Sequence, residues 1–575
     1  MAKKVIDKFT ALAGENTDPR TRRYLAPKRI VWSQGNVSGA EHLLDEKSNQ
    51  ITLVVGQDNC TLRNEPGKPH AAILVDFGIE FAGSARFHTW MTKGPGHNGA
   101  VRVAVRFGES VMEALTPLGE KNTTNDHAIR DSVYSLGMYS GIETNETGYR
   151  FLYIELLDED AFITFKAIQG VFHYMDLEYK GTFRCSDERL NQIWDTAAYT
   201  AHLNMQEYLW DGIKRDRLVW IGDLHPEVST ICSVFGHDES VEKSLDLARD
   251  MFEIREEDIE TYKNNMWMSF PSYTCWWVII HRDWYMQNGN MDYLLQQKAY
   301  FDKVVRCLLH RIEENGEIHF DNKYFIDWSS NNTPYMEAGF RGCLIMGLQA
   351  AADICKLFGE DEVGEKCLRA VENVRKVIPE YAGNKQVCGM VSLSELDDAQ
   401  KVNDIICTDL LNGLSTFYGY YVLNALEKAG NMQAAMDVMR GYWGRMLEMG
   451  ATTFWEDFDI KWAEGARGID QIVPEGENDV HRDHGRFCYT KLRHSLCHGW
   501  ASGPAAFMTK KIIGVQVLEP GCRKIKVTPN LGDLQWAKGT YPTPYGIVSI
   551  EHRAENGKVT TNFTAPDEVE VVVAE

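Results

Sequence analysis

The stretch 186-SDERLNQIWDTA-197 divides the chain into two textures. Ser186 and Asp187 read as a helix N-cap followed by early charged residues, and Leu190, Ile193, Trp194 and Ala197 recur at helical spacing. Upstream the period is two. The run 73-ILVDFG-78 is short and apolar, 101-VRVAVRFG-108 alternates apolar with charged residues, and 149-YRFLYIELL-157 and 162-FITFKAIQGVFHY-174 continue the pattern. Polar, Gly-rich connections such as 93-KGPGHNG-99 lie between them. This reads as an antiparallel β-sandwich, with residues 1 to 69 undefined.

Downstream of residue 185, to about residue 515, periodicity gives roughly eleven helical segments. The clearest are 291-MDYLLQQKAYFDKVVRCLLHRI-312, 336-MEAGFRGCLIMGLQAAADICKLFG-359 and 431-NMQAAMDVMRGYWGRMLEMG-450. Gly359, Gly430 and Gly450 stand where helix C-caps need a left-handed residue. No fixed-length repeat is present, so paired helices closed into a toroid are expected rather than a solenoid. After Lys511, 523-RKIKVTP-529, 546-GIVSIEHR-553 and 568-EVEVVVA-574 are again strand-like. So short a piece is expected to lean on the helical block and to borrow a strand from the undefined N-terminal segment. The expected division is 1–180, an N-terminal β-sandwich; 181–511, a helical domain; and 512–575, a C-terminal β-sandwich.

Several function classes are excluded at this level. The net charge of -22 lacks the basic face that a phosphate backbone requires, so no nucleic acid is expected. No apolar run approaches the roughly 18 residues of a membrane span. The 13 cysteines form no C-x-x-C pairs, a reduced pattern, and the charged start MAKKVIDKFTALAGEN has no signal-peptide core. Together these predict a cytoplasmic protein. Walker, dinucleotide-binding and nucleophile-elbow motifs are missing, and 481-HRDH-484 lacks zinc-family spacing, so neither metal nor cofactor is expected.

Chemistry concentrates in three segments. In 207-EYLWDGIKRDRLVWIGDLHPE-227, Asp211, Asp216, Asp223 and Glu227 alternate with Lys214, Arg215 and Arg217 beside Trp210 and Trp220. A carboxylic acid desolvated against Trp keeps its proton near neutral pH, as a general acid must. On charge alone the segment also reads as a solvated loop, although solvated loops seldom spend tryptophan. In 450-GATTFWEDFDIKW-462, Glu456 follows Trp455 after a helix stop, a place for a general base or for a satisfied polar residue. In 494-HSLCHGWASGP-504, His498 and Trp500 stand where a helix begins, and a buried, satisfied histidine is the alternative to a sugar ligand. The aromatics of 276-WW-277 and 327-DW-328, the latter after strand-like 324-YFI-326, are either sugar platforms or core.

These residues carry a resemblance. The run 211-DGIKRDRLVWIGD-223 is similar to the catalytic motif of bacterial α-L-rhamnosidases, glycoside hydrolase family 78. So are 450-GATTFWE-456, 497-CHGWASGP-504, 512-IIGVQVLEPG-521 and 541-YPTPYG-546, and the strands 73-ILVDFG-78, 105-VRFGE-109 and 148-GYRFLYIE-155, in the family's order. The resemblance implies a multidomain chain, a central (α/α)6 barrel flanked by N-terminal and C-terminal antiparallel β-sandwiches. It implies exo-acting, inverting hydrolysis of terminal α-L-rhamnose. By position Asp216 matches the general acid, as in a sub-branch with Asp where many members have Glu, and Glu456 matches the general base. Asp211, Arg215, Trp220 and Asp223 match sugar-contacting or acid-supporting positions, and Trp277, Trp328 and His498 match the pocket wall. Trp277 or Trp328 is expected to meet the methyl group of rhamnose. The expected partner is a small rhamnoside, with homodimer pairing. Two other readings stand beside this one: a hydrolase of another hexoside on the same scaffold, and a sugar-binding homologue without activity.

Overall fold

A computed structural model describes residues 17–48, 50–53, 58–261, 270–320 and 324–574. The charged start read above, residues 1–16, lies outside them. The N-terminal region is built around the strand Ala72–Lys93, long enough to hold different partners at its two ends. Its first half pairs with Arg29–Gln34 and Thr147–Leu156, and its second half with Phe162–Tyr174 and Ser140–Glu143, with a register shift between Asp76 and Phe81. All these pairings are antiparallel. The alternation read from 101-VRVAVRFG-108 is visible as the strand Val101–Gly108, which buries Val101, Val103, Val105 and Phe107 in one apolar cluster with Ile73, Val75, Leu152 and Phe165. Residues 36–38 and 60–63, left undefined by the sequence, add strands to this same sheet.

The helical block begins with Glu188–Asn204, which the Asp187 side chain caps by accepting from the amides of Arg189 and Leu190. The inner helices pack neighbour to neighbour in a closed circuit. Ile221–Val234 packs on Pro271–Asn288, then follow Met336–Leu357, Lys385–Leu393, Gly419–Lys428 and Gly503–Phe507, and the last returns to the first. Gly359, Gly430 and Gly450 all have positive φ, as C-cap positions require. The run 431–450 is interrupted by a π-turn over Met439–Trp443 rather than being one regular helix. Trp276, Trp284, Trp443 and Trp455 are fully buried, each contributing on the order of 2–3 kcal/mol by burial.

The C-terminal region has one sheet over Thr182–Cys185, Trp536–Thr543, Gly546–Glu555 and Lys558–Thr564 and another over Val515–Glu519, Lys524–Val527 and Glu570–Val573. The borrowed strand is thus 182–185, inside the stretch expected to be helical, and not part of residues 1–69. Thr182 to Cys185 alternates exposed and buried residues, as an edge strand does, and pairs antiparallel with Trp536–Thr543 just before the chain enters the helix Glu188–Asn204. Residues 324–326 form no strand; they lead into the turn Trp328–Ser330, which Asp327 caps through a capping box.

Candidate active site

The site lies where the inner helices begin. Asp223 is in the first turn of Ile221–Val234, Tyr273 in the first turn of Pro271–Asn288, Tyr418 directly precedes Gly419–Lys428, and His498 precedes Gly499–Ser502. Aligned helix N-termini gather unsatisfied N–H groups and positive potential at one end of the circuit, a setting for carboxylates and hydroxyl-rich ligands. Gly222 is required here: a Cβ would stand 2.0 Å from the Tyr273 ring, whose hydroxyl donates to Asp223 Oδ1 at 3.0 Å.

Three segments distant in sequence are stitched together by backbone bonds. Gly499 N donates to Asp211 O at 2.8 Å, His498 N to Phe454 O at 3.0 Å, and Glu456 N to Ser495 O at 3.0 Å. The Glu456 carbonyl accepts from Trp500 Nε1 at 2.9 Å and from Thr416 Oγ1 at 2.7 Å. All of these residues are buried, and the indole of Trp500 is in turn stacked on Phe417.

Arg215 links the two principal carboxylates. Its Nη2 donates to Glu456 Oε1 and its Nη1 to Asp216 Oδ1 at 3.0 Å. Because the guanidinium is small and planar, these two oxygens lie within roughly 8 Å of each other. Arg215 is stacked beneath Tyr489, with 3.5 Å from its central carbon to the ring centre. Burial alone would raise Glu456, but the Arg215 charge reverses this and holds its carboxyl well below the usual range, so Glu456 is ionised. Its Oε1 also accepts from Cys488 Sγ at 2.6 Å, and Oε2 from Ser495 N at 3.2 Å.

The other acids behave oppositely. Burial pushes Asp211, Asp223 and Glu227 well above the carboxylate range, and repulsion from neighbouring carboxylates adds to it, from Asp216 and Asp223 on Asp211, from Glu456 and Asp216 on Asp223, and from Asp223 and Asp211 on Glu227. Asp211 Oδ1 accepts from Leu218 N at 2.9 Å. Glu227 stands behind Gly499 and has no hydrogen-bond partner on either oxygen. His498 Nε2 lies 3.8 Å from Asp211, 4.0 Å from Asp223 and 4.0 Å from Glu456, central to all three and beyond direct hydrogen bonding. Burial lowers His498 to about 3, so the ring is neutral.

The expected site residues therefore separate into two groups. Asp211, Arg215, Asp216, Asp223, Glu456 and His498 converge. Trp220 packs edge-on to Tyr273 with centroids 6.4 Å apart, and Trp328 reaches the same ring through Phe325, so both border the cluster. Trp277 does not: its indole donates to Leu245 O at 3.3 Å and packs on His281 and Tyr300, among side chains of the helices Glu239–Met251 and Met291–Leu309. Its neighbour Trp276 is core, donating to Tyr418 and stacked on His225.

Sequence reading missed Tyr273, Cys488, Tyr489 and His127. Only Tyr273 left a signal, the glycine at 222 that its ring demands. His481, in the segment weighed as a metal site, is engaged on both nitrogens, by Ser110 Oγ at 2.8 Å and His494 O at 2.9 Å. It forms a cluster with Glu109 and Glu113, but the Lys214 ammonium already supplies positive charge there, at 2.7 Å and 3.2 Å from the two carboxylates.

Comparison with known proteins places this architecture. Residues 178–379 match the family model described as the bacterial alpha-L-rhamnosidase 6 hairpin glycosidase domain, and residues 514–574 the bacterial alpha-L-rhamnosidase C-terminal domain. Among solved structures, the chain is similar to a GH78 family rhamnosidase of Bacillus sp. GL1, with 20% identity and TM-score 0.73, covering 91% of this chain and 55% of that one. It is similar to an α-L-rhamnosidase from Dictyoglumus thermophilum, with 19% identity and TM-score 0.67, covering 89% and 58%. It is also similar to a rhamnosidase from Klebsiella oxytoca solved with rhamnose bound, with 19% identity and TM-score 0.66, covering 85% and 96%. The chain thus spans little more than half the length of the first two. No curated protein sequence matches it.

Proposed function

We propose that this chain, whose residues 178–379 and 514–574 match the bacterial α-L-rhamnosidase 6 hairpin and C-terminal domain models, is an exo-acting, inverting α-L-rhamnosidase built on an (α/α)6 barrel with flanking β-sandwiches. Asp216 is the proton donor and Glu456 the base. The observation that carries this reading is the meeting of two carboxylates from distant segments on one guanidinium, with Glu456 kept ionised.

In this mechanism Asp216 gives its proton to the glycosidic oxygen as the bond to the anomeric carbon breaks. Glu456 takes a proton from the water that attacks the opposite face, so the sugar leaves with its configuration inverted and the aglycone leaves as a neutral alcohol. An inverting pair stands about 6.5–9.5 Å apart, and the roughly 8 Å limit set by Arg215 admits that spacing. Inversion itself is what the family resemblance implies. Neutral His498, with Asp211 and Asp223 whose carboxyls burial raises well above the usual range, presents donors and acceptors to ring hydroxyls, while the ionised Glu456 favours the oxocarbenium charge of the transition state. Rhamnose has a methyl group where other hexoses carry a C6 hydroxyl. Trp328, with Phe325 behind it, supplies the apolar wall for it. The Klebsiella oxytoca relative with rhamnose bound supports the substrate class. The expected substrate is a small rhamnoside, and the strongly negative net charge of -22 leaves no basic surface for a polyanionic one.

A panel of 4-nitrophenyl glycosides tests this. The α-L-rhamnoside is expected to be hydrolysed and other hexosides left intact; Glu456→Gln is expected to abolish turnover, and Asp216→Asn to lose it on rhamnosides with poor leaving groups and less on the activated 4-nitrophenyl one, with the fold unchanged in both. Preference for another hexoside, binding of rhamnose without hydrolysis, near-wild-type rates in Glu456→Gln, or near-wild-type rates in Asp216→Asn on rhamnosides with poor leaving groups would overturn the reading.

A further inference from the structure

Three charged residues of the acid-bearing loop, Lys214, Asp216 and Arg217, are also contacted from outside the helical block. Lys214 Nζ lies 2.7 Å from Glu109 and 3.2 Å from Glu113, and Arg217 Nη2 lies 3.4 Å from Glu146. Between them, His127 Nε2 lies 3.2 Å from Asp216 Oδ1. Glu109, Glu113, His127 and Glu146 all belong to the N-terminal sheet region. The approach is close: a Cβ on Gly148 would stand 2.5 Å from the Ile213 side chain and 2.8 Å from Lys214 N.

We propose that His127 is a positioning residue for the proton donor, fixing Asp216 so that Oδ2 is the oxygen that carries the transferred proton. The inference rests on the reading of Asp216 as general acid. Oδ1 faces two nitrogens, Arg215 Nη1 and His127 Nε2, whereas Oδ2 has no protein partner among the described residues. A carboxylic acid puts its proton on the oxygen less engaged by donors, so this contact selects which oxygen meets the glycosidic bond. Both partners accept uncommon backbone for it: φ is 66° at His127 and 60° at Asp216, the left-handed region in which non-glycine residues are rare and cluster at functional sites.

The loop bearing His127 is itself anchored. Arg130 donates to the carbonyls of Glu113 and Thr116, Asn125 Oδ1 accepts from the amides of Arg130 and Asp131, and Asn122 reaches Thr490. The charges facing the contact are Arg215, Asp126 with its partner Arg493, Lys214 one residue away, and Asp211 and Asp223 across the pocket. The His127 side chain keeps 29% of its surface exposed, at the rim where an aglycone would leave.

The test is the leaving-group dependence of kcat for wild type, His127→Ala, His127→Gln and Asp216→Asn on aryl α-L-rhamnosides whose phenols span a wide range of acidity. A good leaving group needs little protonation, so a lesion in proton delivery shows only on the poor ones. His127→Ala is expected to lose about 10-fold on the poorest leaving group and under about 2-fold on the best, with KM little changed. His127→Gln, whose amide nitrogen reaches the Nε2 position, is expected to recover most of the loss. A uniform loss across the series, or none, overturns the inference while a steep series for Asp216→Asn leaves the reading of Asp216 standing. A flat series for Asp216→Asn overturns that reading and the inference with it.

Discussion

The segments carrying the two principal carboxylates are held in different ways. Around Glu456 the backbone does the holding. Its amide, its carbonyl and one carboxylate oxygen are bonded to Ser495, Trp500 and Thr416, and the next amide, Asp457 N, bonds to His494 Nε2 at 2.8 Å. Around Asp216 side-chain charges do it. Lys214, Asp216 and Arg217 each pair with the N-terminal sheet region, and Asp216 and Arg217 both take left-handed backbone. A base that must receive a proton from water at one fixed place suits a rigid backbone frame. An acid that must follow a departing oxygen suits a carboxyl steered by charges from a second region.

The comparison breaks first if the two residues respond alike. Glu456→Gln is expected to cut turnover by about 10³-fold or more on every rhamnoside, since no leaving group replaces the activation of water. Uniform behaviour of Asp216→Asn across leaving groups would remove the distinction.

The next largest effect concerns the charge hold itself. Lys214→Met leaves Glu109 and Glu113 buried beside one another without their ammonium. Burial already pushes Glu109 up to about 7. The variant is expected to lose about 3–5 kcal/mol of stability in urea unfolding. A loss below about 1 kcal/mol, the scale of a surface pair, would show that the two regions are not coupled through this contact.

Glu227 sharpens the comparison from the other side, as a buried acid that nothing holds. Its folded-state pKa is raised, by burial first and then by Asp223 and Asp211. The folded form therefore binds more protons than the unfolded one above the unfolded carboxyl's value. Stability falls from there as pH rises, by about 1.4 kcal/mol per pH unit until the folded carboxyl ionises. Glu227→Gln is expected to raise Tm at pH 7.5 and to flatten its decline above pH 5. An unchanged or lower Tm would mean that the carboxylate is satisfied. The smallest effects concern the wall: Trp328→Ala is expected to raise KM about 10-fold, as loss of one sugar-packing face would. Trp277→Phe, in the packing between helices, is expected to leave KM within about 2-fold.

Much of this was legible in the chain. The change of period near Ser186, the glycine stops and the alternation at 101–108 are local signals, and local structure follows them. Asp216 and Glu456 stand out in the chain through the resemblance of 211–223 and 450–456 to family motifs; charge and neighbouring tryptophan alone left a solvated loop and a satisfied polar residue open. What was not legible depends on contacts across long separations. The strand at 182–185 is fixed by an edge more than 350 residues away, Trp277 is sorted from Trp276 only by which helices surround it, and His127 lies in a polar loop of ordinary composition. Cys488 and Tyr489 are in the same position: nothing in 485–491 marks them, and only the fold brings them over Arg215 and Glu456.

The central claim is that Asp216 donates a proton on one side of the sugar while Glu456 delivers water from the other. Proton NMR during the first minutes of hydrolysis of an aryl α-L-rhamnoside reads this directly from the anomeric signals. The account predicts β-L-rhamnose as the first product, with the α anomer appearing later through mutarotation. Initial release of α-L-rhamnose would contradict it.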